Sequence, residues 1–98
     1  MTKSKIIFQQ KVTDEDGHLI EIVVWMVPVG IKQPDGVRYR LAFIPNGWGK
    51  PAILYDNHHP KGPHIHWNEQ ELPYHYVDVE KLIKDFKALV LKHMGVQI

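Results

Sequence analysis

Residues 79–94 read Val-Glu-Lys-Leu-Ile-Lys-Asp-Phe-Lys-Ala-Leu-Val-Leu-Lys-His-Met and form the one segment with convincing helical periodicity. Asp78 is placed to cap the helix N-terminus, and Gly95 is placed to end the helix. The apolar residues recur at helical spacing and form one stripe, made of Leu82, Ile83, Phe86, Leu89, Val90 and Met94. A single amphipathic helix needs an apolar surface to cover, and the segments before it supply one.

Those earlier segments have the alternation or composition of β-strands. In the third of them, Tyr39 and Leu41 share one face, whereas Arg38 and Arg40 point to the other. If the helix covers the face of Tyr39, the two arginines lie on the uncovered face. Turn residues separate the segments, among them Gly17. The predicted strands are at about 5–12, 18–27, 37–44 and 50–56.

These patterns predict one α+β domain over residues 1–98. We expect an antiparallel meander of four or five strands, with the single C-terminal helix packed on one face. Residues 74–77 are the candidate for the fifth strand, at an edge of the sheet.

Composition limits the class of protein. The chain has 98 residues, is 44% hydrophobic, carries a formal net charge of +1 and has no cysteine. Disulfides, thiolate nucleophiles and cysteine-ligated metals are therefore excluded. The N-terminal residues lead directly into a strand pattern, and no apolar run approaches the roughly 20 residues of a transmembrane helix. We expect a cytoplasmic protein without a signal peptide or a membrane segment.

The chemistry is concentrated in residues 55–67, Tyr-Asp-Asn-His-His-Pro-Lys-Gly-Pro-His-Ile-His-Trp, which hold four of the seven histidines. Two prolines and a glycine predict a shaped loop over residues 57–67. Histidine exchanges protons near neutral pH and is also the commonest nitrogen ligand for metals. The function is therefore argued from this segment.

One hypothesis is metal binding. His64 and His66 project to the same side if their segment is extended. Asp56, His58 or His59 would complete a set of three or four ligands. The alternative ligand set for a metal is thus His58, His64 and His66.

A second hypothesis is acid–base catalysis on RNA without a metal or other cofactor. In-line attack of a 2′-hydroxyl needs a base, an acid and cations at the phosphate. Histidines supply the base and the acid. The cations would be Lys61, Arg38 and Arg40, and bases would stack on Tyr55, Trp67 or Tyr74.

Structural roles compete with both hypotheses. Histidines beside proline and glycine also cap turns by bonding backbone groups. His18 and His93 are expected to be structural, and Trp25 and Trp48 are expected to pack in the core or in turns. A non-catalytic module that binds a protein through its sheet face is a further alternative.

Several motifs in order give the chain a resemblance to the TumE family of toxins from prokaryotic toxin–antitoxin modules. They are Val-Val-Trp-Met-Val-Pro at 23–28, Arg-Tyr-Arg-Leu at 38–41, Leu-Tyr-Asp-Asn at 54–57, Lys-Gly-Pro-His-Ile-His at 61–66, Glu-Leu-Pro-Tyr at 71–74 and Leu-Ile-Lys-Asp-Phe at 82–86. The positions that match the family's central elements are Asn57, Lys61, Gly62, His64, His66, Glu71, Pro73 and Tyr74.

The resemblance implies an inhibitory activity in the cell and a partner antitoxin, a helix-turn-helix protein from an adjacent gene. Within the histidine-rich segment it shifts the weight to Asp56, Lys61, His64 and His66 as the catalytic group. The leading hypothesis is a toxin that cleaves RNA without a metal, with Arg38, Arg40, Tyr55 and Tyr74 holding the substrate. A homodimer is compatible with this hypothesis.

Overall fold

The computed structural model describes residues 4–98 as one antiparallel sheet with a single helix across one face. The strands lie in chain order, and each pairs with its sequence neighbours. The predicted α+β meander with one C-terminal helix is confirmed. The elements are β1 Lys5–Thr13, β2 Leu19–Met26, β3 Val37–Ile44, β4 Ile53–Asp56, β5 His64–Trp67, β6 Gln70–Pro73 and α1 Val79–Met94.

The sheet has six strands, not four or five. The last four residues of the predicted 57–67 loop form strand β5, and residues 70–73 form strand β6. Asn68 and Glu69 join them in a tight turn with φ angles of 53° and 61°. Paired positive φ angles match the twist of a two-residue hairpin. Glutamate rarely adopts such angles, so this hairpin lacks the usual Asn-Gly or Asp-Gly signal.

Other strand boundaries also differ from the prediction. Strand β4 begins at Ile53 and not at residue 50. Residues 74–77, the predicted edge strand, lie outside regular structure. In β1, Ile6 pairs with Trp25 and Phe8 pairs with Val24, so a bulge moves Ile6 to the face opposite Phe8. An inserted residue of this kind breaks the period of two on which the sequence prediction rested.

The helix packs its predicted apolar stripe onto the sheet. Leu82, Phe86 and Val90 are fully buried. Asp78 accepts a hydrogen bond from the Lys81 backbone N–H at 2.8 Å, and Gly95 closes the helix in a left-handed conformation. Within the described residues, no helix combines the length and apolar character required to span a membrane.

The core lies between the helix and one face of the sheet. Tyr39, Leu41 and Phe43 of β3 are buried there, as the alternation predicted. Arg38 and Arg40 therefore point to the opposite face, which the helix leaves free. We call the two sides the covered face and the open face.

Candidate active site

The open face gathers most of the predicted catalytic residues. Arg40 of β3 pairs in register with Asp56 of β4, and Asp56 pairs with His64 of β5. His66 lies two residues further along β5 and pairs with Glu71 of β6. Because side chains alternate along a strand, all five point away from the helix. Strand pairing thus brings together residues that lie far apart in the sequence.

His64 and His66 form the centre of this cluster. Their ring centroids are 4.7 Å apart, and the rings are nearly perpendicular at 84°. Nδ1 of His64 lies 2.6 Å from the Gly62 carbonyl oxygen, which can only accept a hydrogen bond. Nδ1 therefore carries the proton, and in the neutral ring Nε2 keeps a free lone pair. A nitrogen in this state can accept a proton or bind a metal.

His64 is less exposed than expected for a loop residue, at 6% exposure, and His66 is half-buried. Both belong to a strand and not to a loop. Within residues 4–98, the Tyr39 hydroxyl is the only buried side-chain polar atom that lacks a partner. The unpaired Nε2 of His64 is therefore still reached by solvent.

Lys61 and Glu71 form an ion pair beside the histidines. Lys61 Nζ donates to Glu71 Oε2 at 2.8 Å. The hydrogen bond from Lys61 lowers the pKa of Glu71, and the charges of Lys61, His64 and His66 act in the same direction. Glu71 is thus an anion at neutral pH. The pair places one positive and one negative charge next to the two histidines.

The cluster also has the geometry of a metal site. His64, His66 and Glu71 each offer a ligand atom, and these atoms lie within 4.8 Å of one another. The third possible ligand in the structure is therefore Glu71, whereas the sequence suggested His58. His58 is exposed, and its backbone N–H donates to Asp56 Oδ1 at 2.6 Å. Asp56 therefore shapes the turn that follows β4.

The two predicted arginines occupy the other half of the open face. Arg40 Nη1 lies 3.9 Å from Glu21 Oε1. The Arg38 guanidinium carbon lies 5.7 Å from the centroid of the Trp25 ring. A surface pocket of about 100 Å³ is lined by both arginines together with Trp25 and Asp56. The arginine side of the face therefore combines positive charge with an aromatic surface.

Tyr55 and Tyr74 lie on the covered face, across the sheet from the histidines. The Tyr55 hydroxyl donates to the Asp85 backbone oxygen at 3.4 Å, and the Tyr74 hydroxyl donates to Asp85 Oδ2 at 2.7 Å. Burial raises the pKa of Tyr55 to about 12. Trp67 also points to the covered side and stacks on His93 at 4.3 Å. The structure thus separates these three aromatic residues, predicted to hold substrate, from the open face.

Asn57 fixes the connection that follows β4. It is buried, its Oδ1 accepts from the Tyr39 backbone N–H at 2.9 Å, and its Nδ2 donates to the Val37 carbonyl at 2.8 Å. These bonds tie the start of the histidine-rich segment to β3. Ile65, between the two histidines, packs against the core. Asn57 and Ile65 therefore hold the histidine-rich segment against β3 and the core.

A larger pocket of about 630 Å³ opens beside the histidines at the end of the β5–β6 hairpin. His66 and Glu71 form part of its wall, with Trp48 and Lys50 on another side. The cluster thus lies between two concave regions of the surface.

The family model described as Toxin TumE matches residues 2–94. The chain belongs to the toxin TumE family. Neither the curated proteins nor the solved structures gave a match. Membership supports the role of a toxin component, and the match spans the whole open-face cluster.

Two open-face residues of this TumE-family chain were not predicted as site residues. Glu71 matched the family's pattern but received no role from the sequence, and it lies in strand β6, which the sequence did not predict. Trp25 was expected to pack in the core or in a turn, and it lies in the mostly apolar strand β2. The alternation within β2 was the available signal, since Trp25 shares its face with Glu21.

Proposed function

We propose that this TumE-family chain is a toxin that cleaves RNA by metal-independent acid–base catalysis on the open face. The observation that supports this proposal is the contact between His64 and His66 on a face that also carries Asp56 and Arg40. Lys61 lies at the edge of this group, where it is paired with Glu71. These side chains supply a base, an acid and two cations, which are the groups that in-line attack of a 2′-hydroxyl requires.

The hydrogen bond to Gly62 distinguishes the two histidines. Nε2 of His64 takes the proton of the 2′-hydroxyl, and the 2′-oxygen attacks the adjacent phosphorus. The bond from phosphorus to the 5′-oxygen breaks, and His66 gives a proton to that oxygen. The products are a 2′,3′-cyclic phosphate and a 5′-hydroxyl. Asp56, the cross-strand partner of His64, would stabilise the imidazolium that forms.

Lys61 and Arg40 are the proposed phosphate contacts. Each has a carboxylate partner at rest, Glu71 for Lys61 and Glu21 for Arg40. Both ion pairs are at the surface, where such pairs contribute little stability, so a phosphate can compete for the cations. Positive charge at the non-bridging oxygens favours the charge that develops in the transition state.

Cleavage of a short RNA in the presence of a chelator tests the proposal. Wild-type protein is expected to yield the 2′,3′-cyclic phosphate, and His66→Ala to cleave about 100- to 10,000-fold more slowly. The matched control is His93→Ala, because His93 lies on the helix side. Thermal unfolding of each variant checks the fold. A folded His66→Ala variant that cleaves RNA and inhibits growth like the wild type would contradict the assignment.

A divalent metal at His64, His66 and Glu71 is the second candidate function, favoured by the convergence of their ligand atoms. Lys61 competes with a metal for Glu71, so Lys61→Met should raise metal affinity and Glu71→Gln should lower it. Equilibrium dialysis with Zn²⁺, using protein without a histidine tag, measures both changes. RNA cleavage that persists in chelator would dispose of a catalytic metal.

The proposed partner is a helix-turn-helix antitoxin encoded by an adjacent gene, and the proposed location is the cytoplasm. Co-expression with the neighbouring reading frame should relieve growth inhibition and yield a complex. A non-catalytic module predicts a different outcome for the double variant His64→Ala with His66→Ala. In that case the double variant would remain toxic, and substitutions elsewhere on the open face would abolish toxicity.

A further inference from the structure

We propose that Trp25 is a stacking platform for one base of single-stranded RNA, at a distance from the cleaved phosphate, with Arg38 beside it. This inference rests on the proposed function and adds a substrate subsite to it. Aromatic rings next to cationic side chains are the usual means of holding single-stranded nucleic acid, because every base offers a flat face.

Trp25 faces the substrate side of the sheet and not the core. It pairs with Arg38 in β3, and its neighbour Val24 is the fully buried residue of that part of β2. Its side chain is half-buried and does not belong to the core cluster. The sequence-based assignment of Trp25 to core packing is therefore not supported by its position. A large aromatic residue on the open face needs another explanation.

The surroundings of Trp25 suit a base and its phosphate. The Arg38 guanidinium lies 5.7 Å from the ring centroid, within the range of a cation–π contact. The pocket of about 100 Å³ is lined by Trp25, Arg40 and Asp56, and Asp56 is the register partner of His64. A base stacked on the ring would leave its phosphate near the two arginines.

The register of the sheet fixes the spacing between Trp25 and the catalytic pair. Across the sheet, His64 is in register with Asp56, Arg40 and then Val23 of β2. Val23 is two residues from Trp25 along β2. Three strand spacings separate β2 from β5, so the distance from Trp25 to His64 is on the order of 15 Å. A dinucleotide cleaved at His64 is too short to reach Trp25. A longer oligonucleotide spans both positions.

The test measures binding separately from cleavage. A fluorescein-labelled 2′-O-methyl octanucleotide lacks the attacking hydroxyl, so its anisotropy reports affinity whether or not the protein is a ribonuclease. Trp25→Ala should weaken binding about 10-fold, and Trp25→Tyr should stay within about twofold of the wild type. Trp25→Leu keeps apolar area without a flat ring and should resemble Trp25→Ala.

Met26→Ala is the matched control. Met26 is the next residue on the same strand, is 53% exposed and points to the opposite face. Its substitution should leave octanucleotide affinity unchanged. Circular dichroism and thermal unfolding confirm that each variant is folded.

A cleavage arm completes the experiment. Trp25→Ala should raise KM for an octanucleotide substrate about 10-fold and leave cleavage of a dinucleotide unchanged. Folded Trp25→Ala protein with wild-type affinity would overturn the inference and leave the proposed function standing. Equal loss on both substrates would also overturn it, because Trp25 would then act through the site itself. If the wild-type protein binds the octanucleotide but cleaves neither substrate, only the proposed function is overturned.

Discussion

The open face and the covered face of one sheet differ in chemistry although their residues alternate along the same strands. In β5, His64 and His66 lie on the open face while Ile65 packs against the core. In β4, Tyr55 is buried under the helix and Asp56 lies beside His64. Two strands of four residues each thus serve stability and chemistry at once. Because successive side chains of a strand point to opposite faces, one strand can place buried residues on one face and reactive residues on the other.

The polar groups of the two faces are also treated differently. On the covered face, the hydroxyls of Tyr55 and Tyr74 both donate to Asp85 of the helix. On the open face, Lys61 and Glu71 pair at the surface, where solvent weakens their attraction. We therefore expect covered-face substitutions to change the free energy of unfolding and open-face substitutions to change activity.

Phe86→Ala should have the largest effect on stability. Phe86 is fully buried and packs edge-on against Tyr55. Its truncation should lower the free energy of unfolding by about 3–5 kcal/mol. Urea denaturation measures the loss, and cleavage per folded molecule should be unchanged. Leu91→Ala, at an exposed position of the same helix, is the control and should cost far less. A loss below about 1 kcal/mol for Phe86→Ala would contradict the core assignment.

Asn57→Ala should have the next largest effect. The substitution leaves the Tyr39 N–H and the Val37 carbonyl buried without their partner. The expected loss in the free energy of unfolding is about 1–3 kcal/mol. Asn57→Asp keeps the acceptor for Tyr39 and removes the donor to Val37, which separates the two bonds. Unchanged stability in Asn57→Ala would show that the segment after β4 is held by other contacts.

High pH should destabilise the covered face. Burial raises the pKa of Tyr55 from 10.0 to about 12, and burial with the Asp85 hydrogen bond also raises the pKa of Tyr74. A raised pKa in the folded state means that its stabilisation is complete below pH 10 and is lost as the pH rises toward 12. Denaturation midpoints between pH 9 and 12 measure the loss.

Tyr55→Phe is the variant that isolates this effect. It cannot ionise, so its midpoint should fall less steeply with pH than that of the wild type. Parallel curves for the two proteins would show that Tyr55 is not the group whose ionisation destabilises the fold.

Glu71→Gln should have the smallest effect on stability. Its ion pair with Lys61 is exposed and screened by solvent, so the substitution should leave the free energy of unfolding almost unchanged at neutral pH. Because the pKa of Glu71 is lowered in the folded state, the small contribution is present above the usual pKa of 4.5 and fades as the pH falls below it. Thermal unfolding at pH 7 and pH 3 checks both statements. A large loss at pH 7 would place Glu71 among the structural residues.

Sequence alone determined the local features. The apolar stripe, Asp78 and Gly95 predicted the helix, and alternation in β3 predicted that Arg38 and Tyr39 would face opposite sides. These predictions succeeded because periodicity and capping depend on residues close in the chain.

Only the tertiary structure decided which distant residues meet. The turn at Asn68 and Glu69 creates the hairpin that brings Glu71 to His66, and strand pairing places Trp25 beside Arg38. Tertiary packing also turned Tyr55 and Tyr74 toward the helix, although Tyr55 begins the histidine-rich segment and Tyr74 follows it. Register between strands depends on turn geometry and on burial of one face, and a shift of one residue would exchange every side chain between the two faces.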